Sequence, residues 1–301
     1  MTVNLLILLL LSLCWSAGYL FIAEANRGLE PITGTALMCS LAALLLLGAI
    51  AALRRPLLRT LRRRPVVLPL MGLSAIALPQ LASVAGETHM GPDVAALTGT
   101  AVPVFTFLLT AFVLRSRPYT PRRGLGVLTA IAGLAIFLLW DGTEQALGSF
   151  EGVLIMASGG LVFAINGVVA ERITRELDPL TVGAWAVTFG ALWMVALALL
   201  VEGVPAGRPP DQALLAAAGD GLVSIGLAYL LYYLLLARAG ADFAVLYAYI
   251  VPILGVGLTV LASGEAPTVG HALGLAVVMA GVWLLVGGRK QPATAPAPAP
   301  S

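Results

Sequence analysis

Charge is scarce in this sequence. Only 11% of its 301 residues are Asp, Glu, Lys or Arg, against 59% hydrophobic residues, and the mean hydropathy is +0.98. Soluble proteins carry about 25% charged residues, so the composition argues against soluble domains. It excludes a disordered chain and a soluble nucleic-acid binder. Cysteine is almost absent: Cys14 and Cys39 are the only two, which gives neither a disulfide framework nor a metal-ligand spacing. His89 and His271 are single and far apart, so no metal site and no catalytic constellation are expected, and the chain does not read as an enzyme. No glycine-rich phosphate loop of the kind an ATP-driven pump needs is present, and no cofactor is expected. The net charge of +2 identifies no partner.

What is present is one apolar run after another. Stretches free of Asp, Glu, Lys and Arg cover 1–23, 31–53, 65–86, 94–114, 124–140, 152–170, 179–201, 221–237, 243–264 and 266–288. A helix needs about 20 mostly apolar residues to cross a hydrocarbon core. Backbone polar groups cannot stay bare in lipid, so each run is predicted to be helical. The chain is therefore expected to be an all-α integral membrane protein with ten transmembrane helices, numbered here as spans one to ten. Span eight reaches back to about 213 if Asp220 lies inside it. Span one ends in a cleavage-like Ala23, Glu24, Ala25, but no basic residue precedes it, so it reads as a retained span.

The basic residues give an orientation. With the N-terminus in the cytoplasm, the inner connectors hold Arg54, Arg55, Arg59, Arg62, Arg63, Arg64, Arg115, Arg117, Arg122, Arg123, Arg172, Arg175, Arg238, Arg289 and Lys290. The outer connectors hold only Arg27 and Arg208. Positive charge stays on the cytoplasmic side, so both termini are expected there. The alanine- and arginine-rich composition points to a bacterial inner (plasma) membrane. The arginine cluster 54–64 reads as a topology anchor that also meets anionic lipid.

The chain repeats itself. Residues 91–103 fall on 240–252 with six of thirteen positions identical, including Asp93 with Asp242 and Pro103 with Pro252. An offset of 148 places Leu29 and Pro31 on Leu177 and Pro179, Gly126 on Gly274, and Gly133 on Gly281. The chain divides into a first repeat, 1–140, an outer connector, 141–151, a second repeat, 152–290, and a Pro/Ala-rich tail, 291–301, expected to be disordered. Five spans is an odd number, so the second copy enters the membrane inverted. Two inverted five-helix repeats are a transporter architecture, with the ligand site near the midplane between them.

Several polar residues fall inside the runs. Asp220 reads either as a buried carboxylate, serving proton coupling or anchoring a substrate ammonium, or as the cap of a helix starting at 221. Ser12, Trp15, Ser16 and Tyr19 share one helical face, which lines a cavity or packs on another helix. Gln80, Ser83 and Glu87 share a face in span three, with Gln80 deepest. Asn166 in span six binds substrate or bridges helices. Thr98 and Thr100 are the repeat equivalents of Tyr247 and Tyr249, beside the matched prolines. Pro103 and Pro252 each sit mid-helix and serve as hinges or as packing kinks. Tyr229, Tyr232 and Tyr233, at the end of span eight, read as an interfacial aromatic belt ahead of a ligand-binding group.

The order of motifs resembles the drug/metabolite transporter superfamily, specifically the ten-span EamA family. In the second half the resemblance runs through Asp178 and Pro179, then Gly226, Ala228, Tyr229, Leu230, Leu231 and Tyr232 of span eight. It continues through Ala239, Gly240 and Ala241, then Pro252, Gly264 with Glu265, and Gly274 to Gly281. In the first half Trp15, Ser16, Pro103 and Gly126 to Gly133 carry it. Leu114, Arg115 and Ser116 depart from the Gly–Glu pair common at the first copy, and Asp220 stands where the family is usually apolar. The resemblance implies a secondary transporter of small polar metabolites, often amino acids and often outward, partnered by its substrate, by protons and by membrane lipid. The alternatives are an uncoupled exchanger of the same class and a flippase for an amphiphile. Oligomeric state is not readable.

Overall fold

The computed structural model describes residues 2–90, 98, 101–113, 120–140, 143–204, 207–239, 244, 247–263 and 268–286, without the side chains of Glu87, Pro103, Tyr249, Pro252 and some others inside those ranges. The tail 291–301, Thr100 and Asp242 lie outside the described residues. Every regular element described is helical. Spans one and two are Thr2–Ala25 and Pro31–Ala52, followed by a short helix, Leu57–Arg63. Span three runs through Val67–Gly72, a π-helical stretch Leu73–Ala77, and Leu78–Glu87. Span four is described over Ala101–Leu108 and the π stretch Leu109–Val113, and span five over Pro121–Leu139. Spans six and seven are Thr143–Ile173 and Pro179–Val201. Span eight joins Asp211–Gly219, a π stretch Asp220–Leu227 and Ala228–Ala239. Spans nine and ten are Tyr247–Ser263 and Val269–Val286.

The chain is an all-α integral membrane protein. Among the described residues six helices are long and apolar enough to cross a bilayer unaided, and shorter apolar stretches fall within spans four, five and ten. Leu200 and Leu261 are each 83% exposed, a liability in water but the natural state of a lipid-facing surface.

Two boundaries differ from the sequence reading. Span six begins at Thr143, so most of the expected outer connector 141–151 is helix. Glu144, Gln145, Ala146 and Leu147 have good helix propensity, which suits that extension. Span eight begins at Asp211 behind Pro210, so Asp220 lies inside it.

The two copies interlock reciprocally. A Cβ placed on Gly133 would come within 2.9 Å of the Gly274 carbonyl oxygen, and one on Gly281 within 2.7 Å of the Gly126 carbonyl oxygen. The offset of 148 exchanges these two contacts, and only the bare glycine backbone lets spans five and ten approach so closely. The same reciprocity joins spans three and eight to spans seven and two. Gly72 packs on Phe189 and Gly190, while Gly221 packs on Met38 and Leu41.

Spans two and seven are tied at both ends. Glu30, at the N-cap of span two, makes no side-chain cap bond. Glu202 of the other repeat does so instead, accepting from the Ile32 and Thr33 amides at 2.9 and 2.7 Å and from the Thr33 hydroxyl at 2.6 Å. Gly203, at φ 79°, ends span seven in the left-handed turn that follows Glu202. At the arginine-rich end Asp178 caps its own helix through the Thr181 amide at 3.0 Å and pairs with Arg55 at 3.1 Å. Arg64 pairs with Glu176 at 2.5 Å, and the Trp185 indole donates to the Leu57 carbonyl at 2.9 Å. Arg55 and Arg64 thus each form an ion pair between the repeats.

Glu202→Ala strips three hydrogen bonds from the start of span two. It is expected to lower stability by about 1–2 kcal/mol, read as a lower unfolding midpoint of the detergent-purified chain. An unchanged midpoint would mean that span two does not depend on this cap.

Candidate functional site

A cavity of about 160 Å³ opens between the repeats. Its wall is built from spans one, three and four of the first copy and spans six, eight and nine of the second. These are three pairs of repeat-equivalent helices, so the cavity lies along the internal symmetry axis. Gln80 with Tyr229, Thr98 with Tyr247, and Val102 with Val251 are wall residues related by the offset of 149.

Seven of the sequence-selected residues meet on this wall: Trp15, Tyr19, Gln80, Ser83, Thr98, Asp220 and Tyr247. Ser16 and Asn166 stand behind it. The Ser16 hydroxyl lies 2.7 Å from the Ser12 carbonyl and 3.0 Å from the Val251 carbonyl, joining span one to span nine. Asn166 accepts from the Ser74 hydroxyl at 3.2 Å, joining span six to the π stretch of span three, so it bridges helices. Pro103 and Pro252 have helical backbones within spans four and nine, but their side chains, like that of Tyr249, lie outside the description.

Asp220 opens the π-helical stretch of span eight and is only 1% exposed. The capping reading therefore fails, because the helix starts nine residues earlier. Its Oδ2 and the Ser224 hydroxyl are buried and have no hydrogen-bond partner among the described residues. No Lys, Arg or His is among the described wall residues. A π insertion offsets the register by one residue and is frequent at functional sites. Here Asp220 and Ser224 both reach the cavity from within it. Gly18 makes room opposite: a Cβ there would stand 3.1 Å from Asp220 Oδ1 and 3.0 Å from the Ser224 Cβ.

Aromatic side chains close one side. Trp15 meets Tyr247 edge-on at 4.4 Å between ring centroids and Tyr229 at 6.0 Å. Two of the three tyrosines of span eight, Tyr229 and Tyr233, are buried, which departs from the belt and favours the other alternative for Tyr229. Tyr229 lines the cavity, 6% exposed, and donates to the Ala75 carbonyl at 2.9 Å. Tyr233 is buried against Gly183. Two adjacent glycines of span six, Gly159 and Gly160, also line the wall without having been singled out in the sequence, and so does Ser224. The signal for Ser224 is its place four residues after Asp220.

The model of the EamA-like transporter family matches the chain twice, over residues 2–139 and 150–287. An uncharacterized transporter of Archaeoglobus fulgidus is 24% identical over 95% of this chain and 98% of its own length. The uncharacterized transporter YoaV of Bacillus subtilis is 21% identical over 61% of this chain and 62% of its own. A crystal structure with 20% identity superposes with a TM-score of 0.69, covering 96% of this chain and 99% of that one, which shows a shared fold.

An unpartnered buried carboxylate is a destabilising feature. Asp220→Asn removes the charge and keeps the shape. It is expected to stabilise the purified chain by about 1–3 kcal/mol at neutral pH, seen as a raised thermal midpoint. A lowered midpoint would mean that the carboxylate has a partner holding the fold together.

Proposed function

The chain belongs to the EamA-like transporter family, and on that premise we propose that it is a secondary transporter exporting small polar metabolites, amino acids or related amines, by alternating access. The observation that carries this reading is the buried Asp220 carboxylate in the cavity between the two inverted copies, its Oδ2 without a partner among the described residues. A carboxylate costs several kcal/mol so deep in an apolar bundle, and such groups mark substrate and proton paths. In this reading Trp15, Tyr19, Gln80, Thr98 and Tyr247 contact the substrate, and Asp220 exchanges it for a proton. Pro103 and Pro252 are the hinge pair. Ser16 and Asn166 hold the wall from behind. The protein sits in the inner membrane with both termini in the cytoplasm.

The inverted copies supply the mechanism's geometry. Two similar halves that exchange conformations open the same cavity to opposite sides in turn. The cavity volume of about 160 Å³ favours a small solute over the headgroup and tails of an amphiphile, against the flippase reading.

Counterflow in proteoliposomes tests the proposal, with labelled amino acids, amines, sugars and nucleosides. Counterflow of amino acids or amines is expected, with accumulation under a pH gradient in the parent protein but not in Asp220→Asn. Accumulation unchanged in the variant would remove proton coupling through Asp220 and leave an exchanger. No counterflow of any solute from correctly inserted protein would overturn the transporter reading.

A further inference from the structure

Building on the transporter reading, we infer that the cavity selects a small organic ammonium cation without a carboxylate of its own, seated on Asp220 and Ser224 and against the rings of Trp15, Tyr229 and Tyr247. The charge of the wall points this way. Asp220 Oδ2 is a buried oxygen without a hydrogen-bond partner among the described residues, and an ammonium brings the N–H donor it lacks. A substrate carboxylate would need a counter-charge from the wall. Its described residues include no cation. The Tyr229 hydroxyl already donates to the Ala75 carbonyl, and the Thr98 hydroxyl lies 3.2 Å from the Met156 sulfur. In a medium that screens weakly, a second anion beside Asp220 is repelled.

The aromatic side of the cavity has the same preference. Ring faces attract ammonium groups, most strongly where water is excluded, and Trp does so best. Trp15 anchors a cluster with Tyr229 and Tyr247 along the wall that holds Asp220. Gly18 keeps the approach to the carboxylate open. The repeat-equivalent position of Asp220 is Met71, which is buried and apolar. The site therefore carries one negative charge and takes one positive one.

The test uses matched probes on the full-length protein in detergent. One set is 2-phenylethylamine, phenylalanine and 3-phenylpropionate; a second is 3-methylbutylamine, leucine and 4-methylpentanoate. Ligand-induced shifts in melting temperature are titrated for each. The amine of each set is expected to bind about tenfold or more tighter than the amino acid, with no shift from the acid. Asp220→Asn should lose that preference, and Ser224→Ala should weaken the amine alone. Ser224→Ala serves as the reading if Asp220→Asn fails to fold. Equal or tighter binding of the amino acid overturns the inference. So does amine binding that is indifferent to both substitutions, or no binding of any probe at millimolar concentration. Counterflow of the same probes separates the two claims. An amine that binds but never moves overturns transport and keeps the site chemistry. An amino acid that binds better and moves overturns the cation and keeps transport.

Discussion

Lipid offers no hydrogen bond, so every polar group in a spanning chain must find its partner within the protein. That constraint accounts for most of what the polar side chains do here. Ser12, Ser40 and Thr188 turn back onto the carbonyls of Leu8, Ala36 and Ala184. Thr60 and Thr181 share a buried hydrogen bond between hydroxyls. Trp193 donates from its indole to the Pro69 carbonyl of another helix. Against this pairing, Asp220 Oδ2 and the Ser224 hydroxyl stand out as buried oxygens without a hydrogen-bond partner among the described residues.

The repeat supplies shape, and substitution within the repeat supplies chemistry. Glycines at equivalent positions produce the same close crossing twice, in opposite sense, and spans five and ten meet through Gly133 and Gly281 alike. The cavity wall keeps the same backbone plan but not the same side chains. Thr98 faces the site from span four where Tyr247 faces it from span nine, and Gln80 of span three answers Tyr229 of span eight. The ends of the bundle diverge too. Span seven is capped by its own Asp178, whereas span two borrows Glu202 across the interface. Borrowing makes the interface itself a condition for completing span two.

The spans, their number and their repeat were legible in the sequence because each depends on local composition or on a fixed offset. The wall was legible in part. Trp15 and Tyr19 share a helical face, and Thr98 and Tyr247 share a repeat position, so pattern alone brought them forward. Asp220 was ambiguous because its two readings turn on where one helix begins. The Pro210–Asp211 start decides it, and a glycine on either side of Asp220 masked the continuity. Tyr229 was misread because tyrosines near a span's end look like a belt unless the opposing helices are known. The Glu202 cap was not legible at all. It joins residues far apart in the chain, and no local pattern marks a carboxylate as belonging to another helix's first turn.

A single charge on a two-fold scaffold has a physical logic. The repeat equivalent of Asp220, Met71, is buried and is not among the wall residues of the cavity, so this pair of positions brings a carboxylate to the cavity from one copy only. The helix crossing is kept in both copies, since Gly72 and Gly221 pack on spans seven and two. The symmetry of the two copies resides in backbone contacts such as these. The asymmetry resides in wall side chains: Asp220, Gln80 against Tyr229 and Thr98 against Tyr247. Separating the two allows the chemistry of the wall to change through substitution without disturbing the interlocked frame.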